Sequence, residues 1–264
     1  MADVLAGGVR LHVQRLGTPA SGRPTVVFVH GLVMDNLSSW YFTVAPAAAT
    51  HADVVMYDLR GHGKSERPAT GYGLADMVGD LDALLDALAL PGKVVLVGNS
   101  FGGLLALVYA IARTERVAGL VLVDAHLGDE GFAEEMAATL SLTGEERDQR
   151  IAESFREWSG RHSERKRSRL ADTARELVQG TSLVEDMRTT LPLGADAMRE
   201  VTVPVLALYG ERSDLVARAR ARLRPLPSCR MALIPGASHS ILWEATGEVR
   251  RRILAVLDEL PAAR

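Results

Sequence analysis

Six short runs of aliphatic and β-branched residues recur along this chain, and each stops at a residue suited to a turn. They occupy 25–29 before His30, 54–57 before Asp58, 94–97 before Gly98, 120–123 before Asp124, 205–209 before Gly210 and 230–234 before Pro235. Nearly continuous apolar runs of this length, separated by helical patterns, predict strands covered on both faces, as in a parallel sheet. The alternating stretch 9–16 predicts an additional antiparallel strand at the edge.

The intervening segments carry helix periodicity. In 74–88, Leu74, Met77, Val78, Leu81, Leu84, Leu85 and Leu88 recur at spacings of three and four, with Asp76, Asp80, Asp82 and Asp86 largely opposite. Residues 101–112 are apolar almost all round and predict a buried helix, while 249–260 predict an amphipathic closing helix. From about Gly128 to Leu193 the strand rhythm breaks into a Glu-, Arg-, Ala- and Leu-rich helical stretch, and Pro192 and Gly194 mark the return to strands. The expected architecture is α/β: a mostly parallel, doubly wound core of 1–127 and 194–264, with 128–193 inserted as a helical cap.

At 264 residues the chain can bury a substantial core, and 47% hydrophobic with 24% charged residues is an ordinary globular balance. A net charge of −3 offers no field for nucleic acid or an anionic membrane, so a small molecule is the expected partner. No run of 18 apolar residues and no basic-then-apolar leader occurs, which predicts a cytoplasmic protein. Only Lys64, Lys93 and Lys166 among 30 basic residues are lysines, a bias typical of GC-rich bacterial genomes. A single cysteine, Cys229, excludes an internal disulfide and a cysteine cage for a metal. No HExxH, acidic calcium loop or dinucleotide fingerprint appears, so no metal and no cofactor are expected.

The chemistry concentrates at Gly98-Asn99-Ser100-Phe101-Gly102-Gly103, a G-x-S-x-G pattern between a buried strand and a buried helix. A serine raised on so sharp a turn needs glycines on either side for strand and helix to approach, and the helix N-terminus directs N–H groups at a developing oxyanion. A hydroxyl is a poor nucleophile without a base. His239, in PGASHSILWE after the last strand, is the candidate base. For the acid behind it, Asp214 follows the 205–209 strand and is favoured. Asp124, ending the 120–123 strand, is the alternative.

Together with VVFVHGL at 26–32 and YDLRGHGKSERP at 57–68, these motifs resemble the α/β-hydrolase superfamily, specifically its cap-bearing bacterial members. The resemblance implies that the backbone N–H groups of Leu32 and Phe101 form the oxyanion hole, and that His30 and His62 organise turns. Relatives that open epoxides or displace halide use an aspartate nucleophile, so Ser100 argues against both activities. Many relatives place the acid three residues after the strand-ending glycine, where this chain has Ser213.

The implied reaction is hydrolysis of a carboxylic ester or thioester of a small apolar substrate through an acyl-enzyme. The alternatives are hydrolysis of a carbon–carbon bond in a diketone or ring-cleavage product, and a non-hydrolytic lyase, cyclase or receptor. Val33, Met34, Trp40, His126, Leu127 and Trp158 are candidate pocket walls. The basic run Arg161, His162, Arg165, Lys166, Arg167 and Arg169 is a candidate surface for an acyl carrier protein or a coenzyme A thioester.

Overall fold

The computed structural model describes residues 2–17, 23–90, 92–144, 146 and 164–259. Eight strands, β1 (Ala2–Ala6), β2 (Val9–Leu16), β3 (Thr25–Val29), β4 (Asp53–Tyr57), β5 (Val94–Asn99), β6 (Val117–Val123), β7 (Val205–Gly210) and β8 (Cys229–Ile234), form one sheet in the order β1-β2-β4-β3-β5-β6-β7-β8. β2 runs antiparallel to β1 and β4, and from β4 to β8 every neighbour is parallel. The stretch 9–16 is therefore antiparallel as expected but is not the edge. β1 covers it, and its short, exposed sequence carries too little alternation to announce a strand.

Alternation within each apolar run divides the core into two layers, because successive side chains leave opposite faces of a strand. Val27, Val29, Leu96, Leu120, Leu122, Ala207 and Tyr209 pack on one face with helices α1 (Leu74–Ala87) and α2 (Phe101–Ala112). Val26, Phe28, Val95, Val97, Val121, Val123 and Leu208 pack on the other with the turns at Ser38–Tyr41 and Ala45–Ala48 and the closing helix. Trp40 is fully buried in this second layer against Phe28, at 4.9 Å between ring centroids, so it is a core residue and not the pocket wall expected of it.

Between β6 and β7 lie helices α3 (Phe132–Ser141), α4 (Glu164–Gly180) and α5 (Leu183–Arg188) and the turn Ala195–Arg199. α6 (Val216–Arg222) follows β7, and α7 (Thr246–Glu259) closes the chain. Phe132, Leu177, Leu183 and Met187 join the first core layer, so these helices are anchored by buried apolar side chains.

One residue of α1 departs from its amphipathic pattern. Asp80, expected on the polar side, is 3% exposed and grips Arg60 through two bonds, Nε to Oδ2 at 2.6 Å and Nη2 to Oδ1 at 2.5 Å. The pair ties α1 to the loop after β4. Burial, with the nearby Asp76 charge, pushes the Asp80 carboxyl above its usual range, and the Arg60 guanidinium opposes that shift. Removing one partner of such a pair strands the other charge, so Asp80→Ala is expected to cost about 3–5 kcal/mol in chemical denaturation. A change below 1 kcal/mol would show that the pair does not hold this loop.

Candidate active site

At the C-terminal end of β5, Ser100 adopts φ 53° and ψ −119°, a backbone conformation that costs a non-glycine residue about 1–3 kcal/mol. Its surroundings impose it. Ser100 N–H donates to Val123 O at 3.0 Å, while Ser100 O accepts from the N–H groups of Gly103 and His126 at 3.1 and 3.2 Å. Close approach explains the flanking glycines. A Cβ on Gly98 would lie 2.3 Å from Gly102 O, and one on Gly102 would lie 2.4 Å from His30 O. Strand β5, helix α2 and the end of β3 are thereby packed backbone to backbone around the serine.

His239 arrives on the loop after β8, with Nε2 3.1 Å from Ser100 Oγ and Nδ1 2.9 Å from Asp124 Oδ1. The carboxylate behind the histidine is thus Asp124 and not Asp214. Asp124 is fully buried and accepts from three directions: His239, Ser213 Oγ–H to Oδ1 at 2.6 Å, and Gly210 N–H to Oδ2 at 2.7 Å. Asp214 is exposed, on the cavity rim. The physical reason is Ser213, which stands at the position where a β7 acid was expected and directs its hydroxyl proton to the β6 carboxylate. Leu215 N–H donates to the same Oγ at 3.2 Å, which leaves the serine proton for Asp124.

With a carboxylate on Nδ1, the imidazole carries its proton there and presents Nε2 as an acceptor to the serine hydroxyl. The histidine loop has its own support, which the sequence did not single out. Glu244 accepts Ser238 N–H at 2.6 Å and Ser238 Oγ–H at 2.7 Å. A serine shortly before a helix with a glutamate inside it is the signal that could have revealed this brace.

The loop after β3 is clamped on both sides of Leu32. Gly31 N–H donates to Asp35 Oδ2 at 2.9 Å, and Val33 N–H donates to His62 Nε2 at 2.8 Å. His30 accepts Leu59 N–H at Nε2 (2.9 Å), and its Nδ1 lies 2.6 Å from Gly31 O. Burial, with His30 close by, lowers the His62 pKa to about 3, so it stays a neutral acceptor for Val33. Both histidines are therefore turn organisers.

A cavity of about 900 Å³ opens onto Ser100, His239, Leu32 and Phe101. Val33, Met34 and His126 line it as expected. Phe132, Met136 and Leu140 of α3 and Ala174 and Val178 of α4 add apolar wall. Leu127 is instead buried in the core and borders only a small void behind His126. Trp158 and the side chains of the basic run at 161–169 lie outside the described residues. At the rim, Arg218 of α6 makes a two-pronged pair with Glu135 of α3, at 2.6 and 2.7 Å. Among the described residues no group of three His, Cys, Asp or Glu side chains is arranged to hold a metal ion, and no helix is long and apolar enough to cross a membrane.

The acid assignment has a spectroscopic test independent of turnover. A low-field proton resonance from His239 Nδ1–H is expected in the wild type and in Asp214→Asn, and its loss or upfield movement in Asp124→Asn. Disappearance in Asp214→Asn alone would reverse the assignment.

Comparison with known proteins agrees with this architecture. The chain is 42% identical over 125 residues to 2-hydroxy-6-oxo-2,4-heptadienoate hydrolase of Pseudomonas putida, a match spanning 46% of this chain and 43% of that enzyme. It is 29% identical over 253 residues to 2-(acetamidomethylene)succinate hydrolase of Mesorhizobium japonicum, covering 89% and 87%. The enol-lactonase of Burkholderia xenovorans LB400 superposes with a TM-score of 0.77 at 21% identity, over 97% of this chain and all of that one, a likeness of fold. Residues 24–201 match the family described as the alpha/beta hydrolase fold, which includes the strand-turn-helix around Ser100 and the Asp124 carboxylate. The chain belongs to the α/β-hydrolase family.

Proposed function

We propose that this α/β-hydrolase cleaves a carboxylic ester or thioester of a small, largely apolar substrate through an acyl-enzyme on Ser100. The observation that carries this reading is the unbroken hydrogen-bond line from Ser100 Oγ through His239 to the buried Asp124. His239 Nε2 takes the hydroxyl proton as Ser100 Oγ attacks the carbonyl carbon, and Asp124 stabilises the imidazolium that forms. The N–H groups of Leu32 and Phe101, on the two backbone segments that meet at the serine, receive the oxyanion of the tetrahedral intermediate. Collapse returns the proton from His239 to the leaving alcohol or thiol. Water, activated by the same histidine, then releases the acid and restores the serine.

The mainly apolar lining suits an acyl chain lying between α3 and α4, with the scissile carbonyl over Ser100. A second reading has specific support. The hydrolase of Pseudomonas putida with 42% identity over 125 residues is named for a 2-hydroxy-6-oxo-dienoate, a compound with a keto group. A serine attacking that class of carbonyl would expel a carbon leaving group, protonated in place of an alcohol.

A panel of p-nitrophenyl esters, acyl thioesters and vinylogous diketones separates the two readings, the larger kcat/KM deciding. Ser100→Ala should abolish turnover of whichever class is used, and wild-type hydrolysis persisting in it would overturn the mechanism. Asp124→Asn is expected to lower kcat by about 10³–10⁴, whereas Asp214→Asn should stay within about threefold of wild type. Steady-state kinetics on the best ester measures both.

A further inference from the structure

Four histidines cluster around the catalytic end of the sheet, and three have both ring nitrogens engaged. His30 contacts Leu59 N–H and Gly31 O, His62 contacts Val33 N–H and Arg60 O, and His239 contacts Ser100 and Asp124. His126 is the exception: among the described residues neither of its ring nitrogens has a hydrogen-bond partner. It is half-buried, lines the cavity, and sits with its ring centroid 5.1 Å from Phe132 and 5.9 Å from His239. Its backbone is fixed relative to the nucleophile, because His126 N–H donates to Ser100 O at 3.2 Å.

Packing alone does not account for an imidazole here. A leucine or phenylalanine would fill the space against Phe132 with apolar surface alone, whereas the imidazole brings to the cavity wall two polar nitrogens that no described protein group engages. We infer that His126 is a specificity-determining residue, whose imidazole hydrogen-bonds an oxygen substituent a few bonds from the scissile carbonyl. The substrate class is then 3-oxo- or 3-hydroxyacyl in character. This identification deepens the acyl-hydrolase reading and rests on it for the position of the scissile carbonyl.

The electrostatics agree. Burial, and then the neighbouring His239, lower the His126 pKa to about 3, against a small opposing pull from Glu135. The ring is therefore neutral near pH 7, with one N–H to donate to a keto oxygen and one nitrogen to accept from a hydroxyl. Neither role requires a proton transfer, so His126 recognises while His239 performs the acid–base chemistry.

Two measurements test this. In the first, kcat/KM is compared for p-nitrophenyl butanoate and p-nitrophenyl 3-oxobutanoate, in wild type and in His126→Phe, which keeps the aromatic packing. The ratio favouring the 3-oxo ester is expected to fall by about tenfold in the variant, the equivalent of one hydrogen bond. Partial recovery is expected in His126→Asn. In the second, Ser100→Ala and Ser100→Ala/His126→Phe proteins are titrated with heptane-2,4-dione and 2-heptanone, and tighter binding of the dione is expected only when His126 is present. Unchanged ratios with active enzyme would overturn the role of His126 and leave the hydrolase reading standing. A His126-dependent preference for the dione in a wild type inert toward every ester would uphold recognition and overturn the ester reading.

Discussion

One buried carboxylate ties the catalytic end of the molecule together. Asp124 ends β6, takes a hydrogen bond from the end of β7 through Gly210 and another from the turn beyond it through Ser213, and holds His239 from the loop after β8. Three adjacent strand ends thus share one anion. A charge taken fully out of water is tolerated only when its lone pairs are met, and here three donors meet them. The orientation of His239 toward Ser100 is a by-product of that requirement.

A matching arrangement governs the other side of the serine. The β3 loop that carries Leu32 is held by His30, by neutral His62 and by Asp35, so its N–H directions are set before any ligand arrives. Ser100 itself sits in a strained conformation that the surrounding backbone contacts enforce. Rigidity of this kind suits the proposed oxyanion site, since donors that must reorganise during a reaction stabilise it less.

Much of this was legible in the sequence because backbone geometry leaves marks on residue choice. The apolar runs predicted six of the eight strands, and the glycines at 98 and 102 predicted the close approach of β5 and α2. Ser100 and His239 followed from the same logic. The acid did not, because Asp124 and Asp214 both follow strands at the same edge, and their difference lies in burial and in the hydroxyl of Ser213, which periodicity does not encode. Trp40 and Asp80 failed for a related reason. Local pattern does not say which neighbour will lie against a side chain, Phe28 of β3 for Trp40 and Arg60 of the loop after β4 for Asp80. β1 was missed because an exposed covering strand has no buried face to impose alternation.

Siting the acid on β6 has a consequence for how such a protein can change. Ser100 and Asp124 come from neighbouring strands, while Gly210 at the end of β7 and Ser213 on the turn beyond it donate to the carboxylate. Arg212 and Asp214, on the same turn, border the cavity. Their side chains line the chamber, so substitutions there would remodel it while the Gly210 and Ser213 hydrogen bonds to Asp124 stay in place. An evolving or redesigned enzyme on this scaffold has one more adjustable loop beside its reacting bond than a relative whose acid occupies that turn.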